Sequence, residues 1–392
     1  MGGTGKISYL DNACMGKVHE KVVEQIEAFL KYLSNISSPP TQVTVEMYNF
    51  MTNAREESAK LLGVTPDEIA VVESTSHGLG LIASSIPIRK KENVLICDLE
   101  FFASSLCWKS RQEDIGFEIR KVKTKQGEVK VDDFEAAIDK KTRAIVISAV
   151  QEINGFRCDI KELSKLAREY GCYLIVDGIQ EIGALKVDLS DLDVDFYCAG
   201  GHKWLRNPFG AGILYINRKH IEKLKPSFYG YFNTVEPQMG WQAYLESPMR
   251  TPYDHFDILT KARKFETGGT SNIIGSIGLY ENIKIIQDYG IDNIENKVKE
   301  LGRYLIGGLN EIGLQTVSSI KPQNMSGIIT FNLPGGVSQE KELCKKLEKE
   351  GVFVSLRYTS GIGGIRVSPH YYNSTDDIDR LLNITEDFIS GS

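Results

Sequence analysis

Between about residues 68 and 217, short apolar runs rich in β-branched side chains alternate with amphipathic stretches. The strand candidates are EIAVVES, ENVLICD, TRAIVIS, CYLIVD, DFYCA and GAGILYI. They are apolar on both faces, which predicts a mainly parallel sheet covered by helices on two sides. Of the intervening segments, DIKELSKLAREYG puts Ile160, Leu163, Ala167 and Tyr170 on one helical face. Asp159 and Glu162 have capping-box spacing there, and Gly171 is placed to end the helix. After Gly268 the pattern changes to a long helical stretch (about 273 to 313), a strand SGIITFNL, a charged helix QEKELCKKLEKEG and a final strand-helix pair. These periods predict a large α/β domain over residues 36–267 and a smaller α+β C-terminal domain over 268–392. An N-terminal segment, 1–35, carries a helix around 17 to 33 that is expected to pack near the small domain.

Composition narrows the class. With 392 residues, 42% of them hydrophobic, the chain can bury a large core. Its formal net charge is −6 and its one basic cluster is Arg89-Lys90-Lys91, so neither nucleic acid nor an anionic membrane is an expected partner. No apolar run reaches bilayer length, and the N-terminus shows no signal-peptide stretch. The seven cysteines (Cys14, Cys97, Cys107, Cys158, Cys172, Cys198, Cys344) are odd in number and form no Cys-x-x-Cys pair. This predicts a reduced, cytoplasmic protein without a zinc site.

Candidate chemistry falls at the carboxyl ends of strands, where open α/β sheets gather ligands. In ESTSHGLG a strand stops and a helix starts at Thr75 and Ser76, a natural phosphate seat. In IVDGIQ an all-apolar strand ends on Asp177, a carboxylate that must be paired or strongly hydrogen-bonded. In AGGHKW the next strand ends at His202 and Lys203. Taken alone, each has an ordinary explanation: two helix N-caps and a solvated rim charge. Together, a phosphate seat, an acid for a ring nitrogen and a lysine to form a Schiff base with an aldehyde make up a binding kit for pyridoxal 5'-phosphate.

These motifs also carry a family resemblance. YLDNAC, STSHGLGLIA, LEFFASSLCW, VQEINGFRCDI, VDGIQEIGA, AGGHKWLRNPFGAGILY, FETGGTSN and IRVSPHYYN resemble the class V aminotransferase group of fold type I pyridoxal-phosphate enzymes. That group includes cysteine desulfurases, selenocysteine lyase and isopenicillin N epimerase-like proteins. The resemblance implies the PLP-dependent transferase fold type I and a homodimer. It implies that Thr75, Ser76 and His202 hold phosphate, joined by Thr270 from a partner subunit. Phe101 is expected to stack on the pyridine, Asp177 to pair with its nitrogen, Gln180 to approach the phenolic oxygen and Lys203 to carry the cofactor. Arg366 matches the arginine that grips a substrate α-carboxylate, Arg357 stands near it, and Asn12 lies in the segment that approaches the site.

Four departures bear on the reaction. Phe101 stands where desulfurases commonly have a histidine, so it stacks but moves no proton. VFVSLRYTSGIGGIR, ending at Arg366, lacks the mobile-loop cysteine that takes up sulfur, and the other cysteines are expected to be buried. Glu152 replaces an asparagine near the phenolic oxygen; specificity residue, general base and surface glutamate all remain open. Gly200 replaces a phosphate-holding serine, shifting that work toward His202. The glycine-rich stretch from Tyr358 to Gly364 is open to two readings, a flexible lid or an ordinary turn. The leading expectation is a lyase cleaving carbon–sulfur by β-elimination from a cysteine-like or S-substituted α-amino acid. The alternatives are an aminotransferase or an epimerase, the latter needing a second proton donor such as Glu152, Tyr229 or Tyr231. A non-catalytic scaffold should have lost Lys203 or Asp177, and both remain.

Overall fold

A computed structural model describes residues 6–391. Residues 1–5 and Ser392, which belong to the expected N-terminal segment and small domain, lie outside the described residues. In chain order the strands are β1 (Ser8–Tyr9), β2 (Ile69–Val72), β3 (Asn93–Cys97), β4 (Glu118–Val122), β5 (Thr142–Ser148), β6 (Tyr173–Asp177), β7 (Phe196–Gly200) and β8 (Gly212–Ile216). Then follow β9 (Ile329–Phe331), β10 (Val352–Phe353), β11 (Ser355–Thr359) and β12 (Ile362–Val367).

The expected parallel sheet is present, with seven strands in the order β2-β8-β7-β6-β5-β3-β4. β8 runs antiparallel to both neighbours, and the other pairings are parallel. Its two-sided burial follows from the strand repeat. Along β5, Ala144 and Val146 enter one apolar cluster while Ile145 and Ile147 enter the other. Edge strand β4 is the one the apolar pattern does not announce, because only Val122 of its residues is buried.

Helix Ile160–Tyr170 is built as its caps require. Asp159 accepts from the Glu162 N–H at 3.0 Å, and Gly171 closes the helix at φ 66°. Ile160, Leu163 and Ala167 are buried, but Tyr170 is exposed, because it lies one turn beyond the sheet-facing stripe. The long stretch after residue 273 is two helices, Ile273–Tyr289 and Ile291–Glu311, broken at Gly290 with φ 87°.

Packing divides the chain inside helix Ile291–Glu311 rather than at residue 268. Ile273, Ile277, Ile283, Ile294 and Val298 belong to the large-domain core, and helix Ile273–Tyr289 lies against helix Pro40–Leu62. Leu301, Leu305 and Leu309 belong to a separate core with Leu10, Phe331, Val352, Ile365 and Leu381. The N-terminal helix (Glu20–Ser34) packs on helix Ile273–Tyr289, inside the range expected for the small domain, and sends Phe29 into the large-domain core. Strand β1 pairs in parallel with β10 of the small domain. Residues 11–16 then return to the sheet, where the Gly16 N–H donates to the His202 carbonyl at 2.9 Å.

No described helix is long and apolar enough to cross a membrane, and no group of metal-ligating side chains occurs among the described residues.

Candidate active site

The ends of β2, β3, β5, β6 and β7 bring the expected residues together. Helix Thr75–Ser85 starts just after β2, with Ser74 as its N-cap accepting from the His77 N–H at 3.1 Å. Thr75 is buried, and its Oγ1 accepts from the Gly200 N–H at 2.7 Å, so the end of β7 is tied to this helix start. Ser76 is exposed beside it. A Cβ at position 200 would stand 3.1 Å from His202 Nδ1 and 3.2 Å from Thr75 Oγ1. Glycine therefore keeps open a concavity between hydroxyl, imidazole and helix N-terminus. Burial, and secondarily the Lys203 charge, push the His202 imidazole down to about 4, so it is neutral near pH 7.

Asp177 ends β6 and is buried. Its hydrogen bond among the described residues comes from the Ile179 N–H, at 3.0 Å. Burial lifts its carboxyl to about 7, despite that bond and the Lys203 charge. Gln180, three residues on, is more heavily used than expected. It accepts from the Trp204 indole at 2.9 Å and donates to the Ala13 carbonyl at 3.0 Å. One amide N–H is left for the phenolic oxygen of a cofactor.

Lys203 follows β7 in a turn held on every side. Its carbonyl accepts from the Arg206 N–H at 3.0 Å, and Arg206 sits at φ 59°, uncommon for a non-glycine residue. His370, buried and neutral, bonds the Trp204 carbonyl at 2.9 Å. The lysine ammonium stands 6.0 Å from the Phe101 ring centroid. Burial lowers its pKa, opposed by the Asp177 and Glu152 charges and reinforced by Arg366. A desolvated amine of this kind is a better nucleophile and base.

Phe101 is 39% exposed and packs on Phe102 with centroids 4.0 Å apart, so one face is free to cover a ring. Beneath it lies a residue the sequence reading missed. Glu100 is buried and accepts from the Ser148 N–H (2.9 Å), the Ser148 hydroxyl (2.5 Å) and Gln151 Nε2 (2.8 Å). It fixes the Phe101 loop to the loop that carries Glu152. Its signal was an acidic residue in the apolar run LEFF.

Arg366, on β12, is 1% exposed and lies between two carboxylates. Nη1 donates to Glu152 Oε2 at 2.9 Å, and Nη2 donates to Asp11 Oδ1 at 3.1 Å. Asp11, not its neighbour Asn12, is the residue of this segment that reaches the arginine. Asn12 is fully buried, its amide donating to the Ser368 carbonyl at 2.8 Å and accepting from the Tyr372 hydroxyl. It holds the N-terminal segment in place and turns no free group toward a substrate. Arg357 is exposed, one Nη1 donating to the Leu356 carbonyl at 3.0 Å. It pairs across the hairpin with Gly364, while Arg366 pairs with Ser355.

The glycine-rich stretch is an ordinary turn. β11 and β12 form a hairpin whose Ser360 and Gly361 sit at φ 51° and 80°, as a two-residue turn of the primed type needs. A Cβ at Gly363 would meet the Arg357 carbonyl at 2.1 Å, so the glycines serve close strand packing.

The remaining candidates are more dispersed. Thr270 is exposed after Gly269, whose carbonyl accepts from the Tyr48 hydroxyl at 3.2 Å. Tyr229 and Tyr231 are exposed, the latter packed on Phe232. The expectation that all cysteines are buried fails at Cys14, which is exposed, and at Cys107 and Cys344, which are half-buried. Cys14 lies between Ala13, bonded to Gln180, and Gly16, against the Lys203 turn.

Three features fit pyridoxal phosphate: a buried carboxyl with no cation bonded to it among the described residues, a concavity that a side chain at 200 would fill, and a desolvated lysine facing an open aromatic ring. The chain is similar to known proteins along nearly its whole length. A "Probable cysteine desulfurase" of Halalkalibacterium halodurans is 26% identical, the alignment covering 95% of this chain and 91% of the relative. Among solved structures, the apo cysteine desulfurase of Thermococcus onnurineus NA1 superposes with a TM-score of 0.86 at 23% identity, covering 98% of this chain and 95% of the other. The cystine C–S lyase C-DES, solved with its reaction product cysteine persulfide, gives 0.86 at 21% identity, covering 98% of each. The family described as "Aminotransferase class-V" matches residues 8–381. The chain therefore belongs to the class V aminotransferase family of pyridoxal-phosphate-dependent enzymes.

Proposed function

We propose that this enzyme is a carbon–sulfur lyase acting on L-cysteine or an S-substituted relative. The observation that carries the reading is the desolvated Lys203 amine, which faces Phe101 at 6.0 Å with no second acid–base side chain bonded to it among the described residues. Elimination needs one base, and Lys203 can supply it. The names of the relatives support the sulfur substrate.

Pyridoxal phosphate, when bound, supplies the electron sink for the charge left on the substrate α-carbon. Thr75, Ser76 and the neutral His202 hold its phosphate, and Asp177 receives its ring nitrogen. Phe101 covers the ring and sheds water from it. Lys203 binds the cofactor at rest and, once released, takes the α-proton. Arg366 orients the substrate by its α-carboxylate.

The test supplies L-cysteine without a keto-acid acceptor and measures products over many turnovers. Pyruvate and sulfide in equal amounts are expected. A single turnover that leaves pyridoxamine phosphate would make the enzyme an aminotransferase. Alanine with a persulfide on the protein would make it a sulfur transferase, and Cys14 is the exposed thiol for that role.

The reading includes a homodimer in which Thr270 reaches the phosphate of the neighbouring subunit. The exposed position of Thr270 on its own subunit supports this. Sedimentation should give twice the chain mass of 43.8 kDa. Thr270→Ala should weaken cofactor retention severalfold in the dimer. A monomer that retains cofactor fully would overturn the arrangement. All seven cysteines are free, which suits the reducing cytoplasm.

A further inference from the structure

The arginine expected to receive a substrate carboxylate already holds two. The two differ in how they are fixed. Asp11 is anchored twice more: its second oxygen accepts from the Ser355 hydroxyl, and its backbone bridges to Ser368. The Glu152 carboxylate has Arg366 as its hydrogen-bonding partner among the described residues. The Glu152 carbonyl also accepts from Arg366 Nη1, at 3.2 Å, so the backbone stays when the side chain leaves. Arg366 Nε is buried and has no hydrogen-bond partner among the described residues. The guanidinium thus keeps donor capacity for a ligand, while the two carboxylates bonded to it already outnumber its single charge, with the Lys203 amine as the further basic group nearby.

We infer that Glu152 is a specificity gate: its side chain occupies Arg366 in the resting enzyme, and a substrate must displace or offset it to dock. The gate discriminates by charge. An amino acid brings an ammonium that offsets the carboxylates around Arg366. A 2-oxo acid brings only a further negative charge next to Glu152 and Asp11, and like charges at contact are strongly disfavoured. The site therefore admits zwitterionic amino acids and rejects 2-oxo acids, which suits a lyase that must release pyruvate and opposes an aminotransferase that must bind it. This rests on Arg366 being the carboxylate seat.

The experiment titrates pyruvate into the cofactor-loaded and cofactor-free protein by calorimetry, for wild type, Glu152→Gln, Arg366→Gln and the double variant. Glutamine keeps the shape and an acceptor for Nη1 but removes the charge, so Glu152→Gln should bind pyruvate at least about tenfold more tightly. The double variant should lose that gain. Far-UV circular dichroism and melting temperature establish that each variant is folded. If Glu152→Gln binds pyruvate no better than wild type while Arg366→Gln abolishes what binding there is, the gate is wrong and the carboxylate seat stands. If Arg366→Gln leaves pyruvate binding to the Glu152→Gln protein unchanged, the seat itself is misassigned.

Discussion

Lys203→Ala will yield a folded protein that lacks the wild-type visible absorption band and whose turnover of L-cysteine is lower by on the order of 10³-fold or more. Folding survives because nothing in the turn depends on the amine. The turn is held by the Gly16 N–H on the His202 carbonyl, the Trp204 indole on Gln180 and His370 on the Trp204 carbonyl. All of these involve backbone or neighbouring side chains. In its proposed role the amine is both the covalent hold on the cofactor and the base for the α-proton, so removing it makes two losses coincide in one substitution. Added methylamine, small enough for the space left, should restore part of the rate and raise it with concentration. The absorption spectrum of the purified variant checks the first loss and the rate with methylamine checks the second. An unchanged visible band and full activity would remove Lys203 from the chemistry.

The sequence showed the parts of this site that end apolar strands, because there a continuous apolar run stops abruptly on a polar residue. Asp177 after YLIV and Lys203 after FYCAG stood out for that reason, as did the hydroxyls after IAVV. What stayed hidden depends on contacts between distant segments. Glu100 looks like any loop acid until Ser148 and Gln151 are seen on it. Asp11 and Asn12 are neighbours, yet one faces Arg366 while the other is consumed by Ser368 and Tyr372. Which does which is set by the twist of a segment bridging two cores. The division of the chain was hidden for a similar reason. Helix Ile291–Glu311 is amphipathic throughout, and only its surroundings show Ile294 and Val298 in one core and Leu301 and Leu305 in the other. Edge strand β4 escaped because an edge needs no two-faced apolar run.

Asp177→Asn should make the cofactor-free protein more stable at pH 8 while crippling the enzyme. In the cofactor-free protein this carboxyl is buried with one N–H bonded to it, and burial lifts it from its ordinary 3.8 to about 7. The folded state then holds a proton that the unfolded chain releases, so between pH 4 and 7 stability falls as pH rises and levels off above 7. The size of that fall is about 4 kcal/mol for this group. Asparagine keeps the bond to Ile179 and abolishes the ionisation, at the cost of a buried amide N–H₂ worth about 1–3 kcal/mol. A net gain of about 1–3 kcal/mol at pH 8 follows, and it should shrink and reverse as the pH is lowered toward 5. In the proposed arrangement the sign inverts with cofactor present, because the ionised Asp177 would gain a protonated ring nitrogen as its partner. Asparagine cannot hold that proton, and turnover should fall by on the order of 10² to 10³. Thermal melts of both cofactor-free proteins from pH 5 to 8 measure the first effect, and steady-state kinetics of the loaded proteins the second. Parallel melting curves across that range would mean that Asp177 already has a cation on it. In the proposed role, the burial that destabilises the empty fold at this residue is the same feature that would bind and charge the ring, a stability given up locally for function.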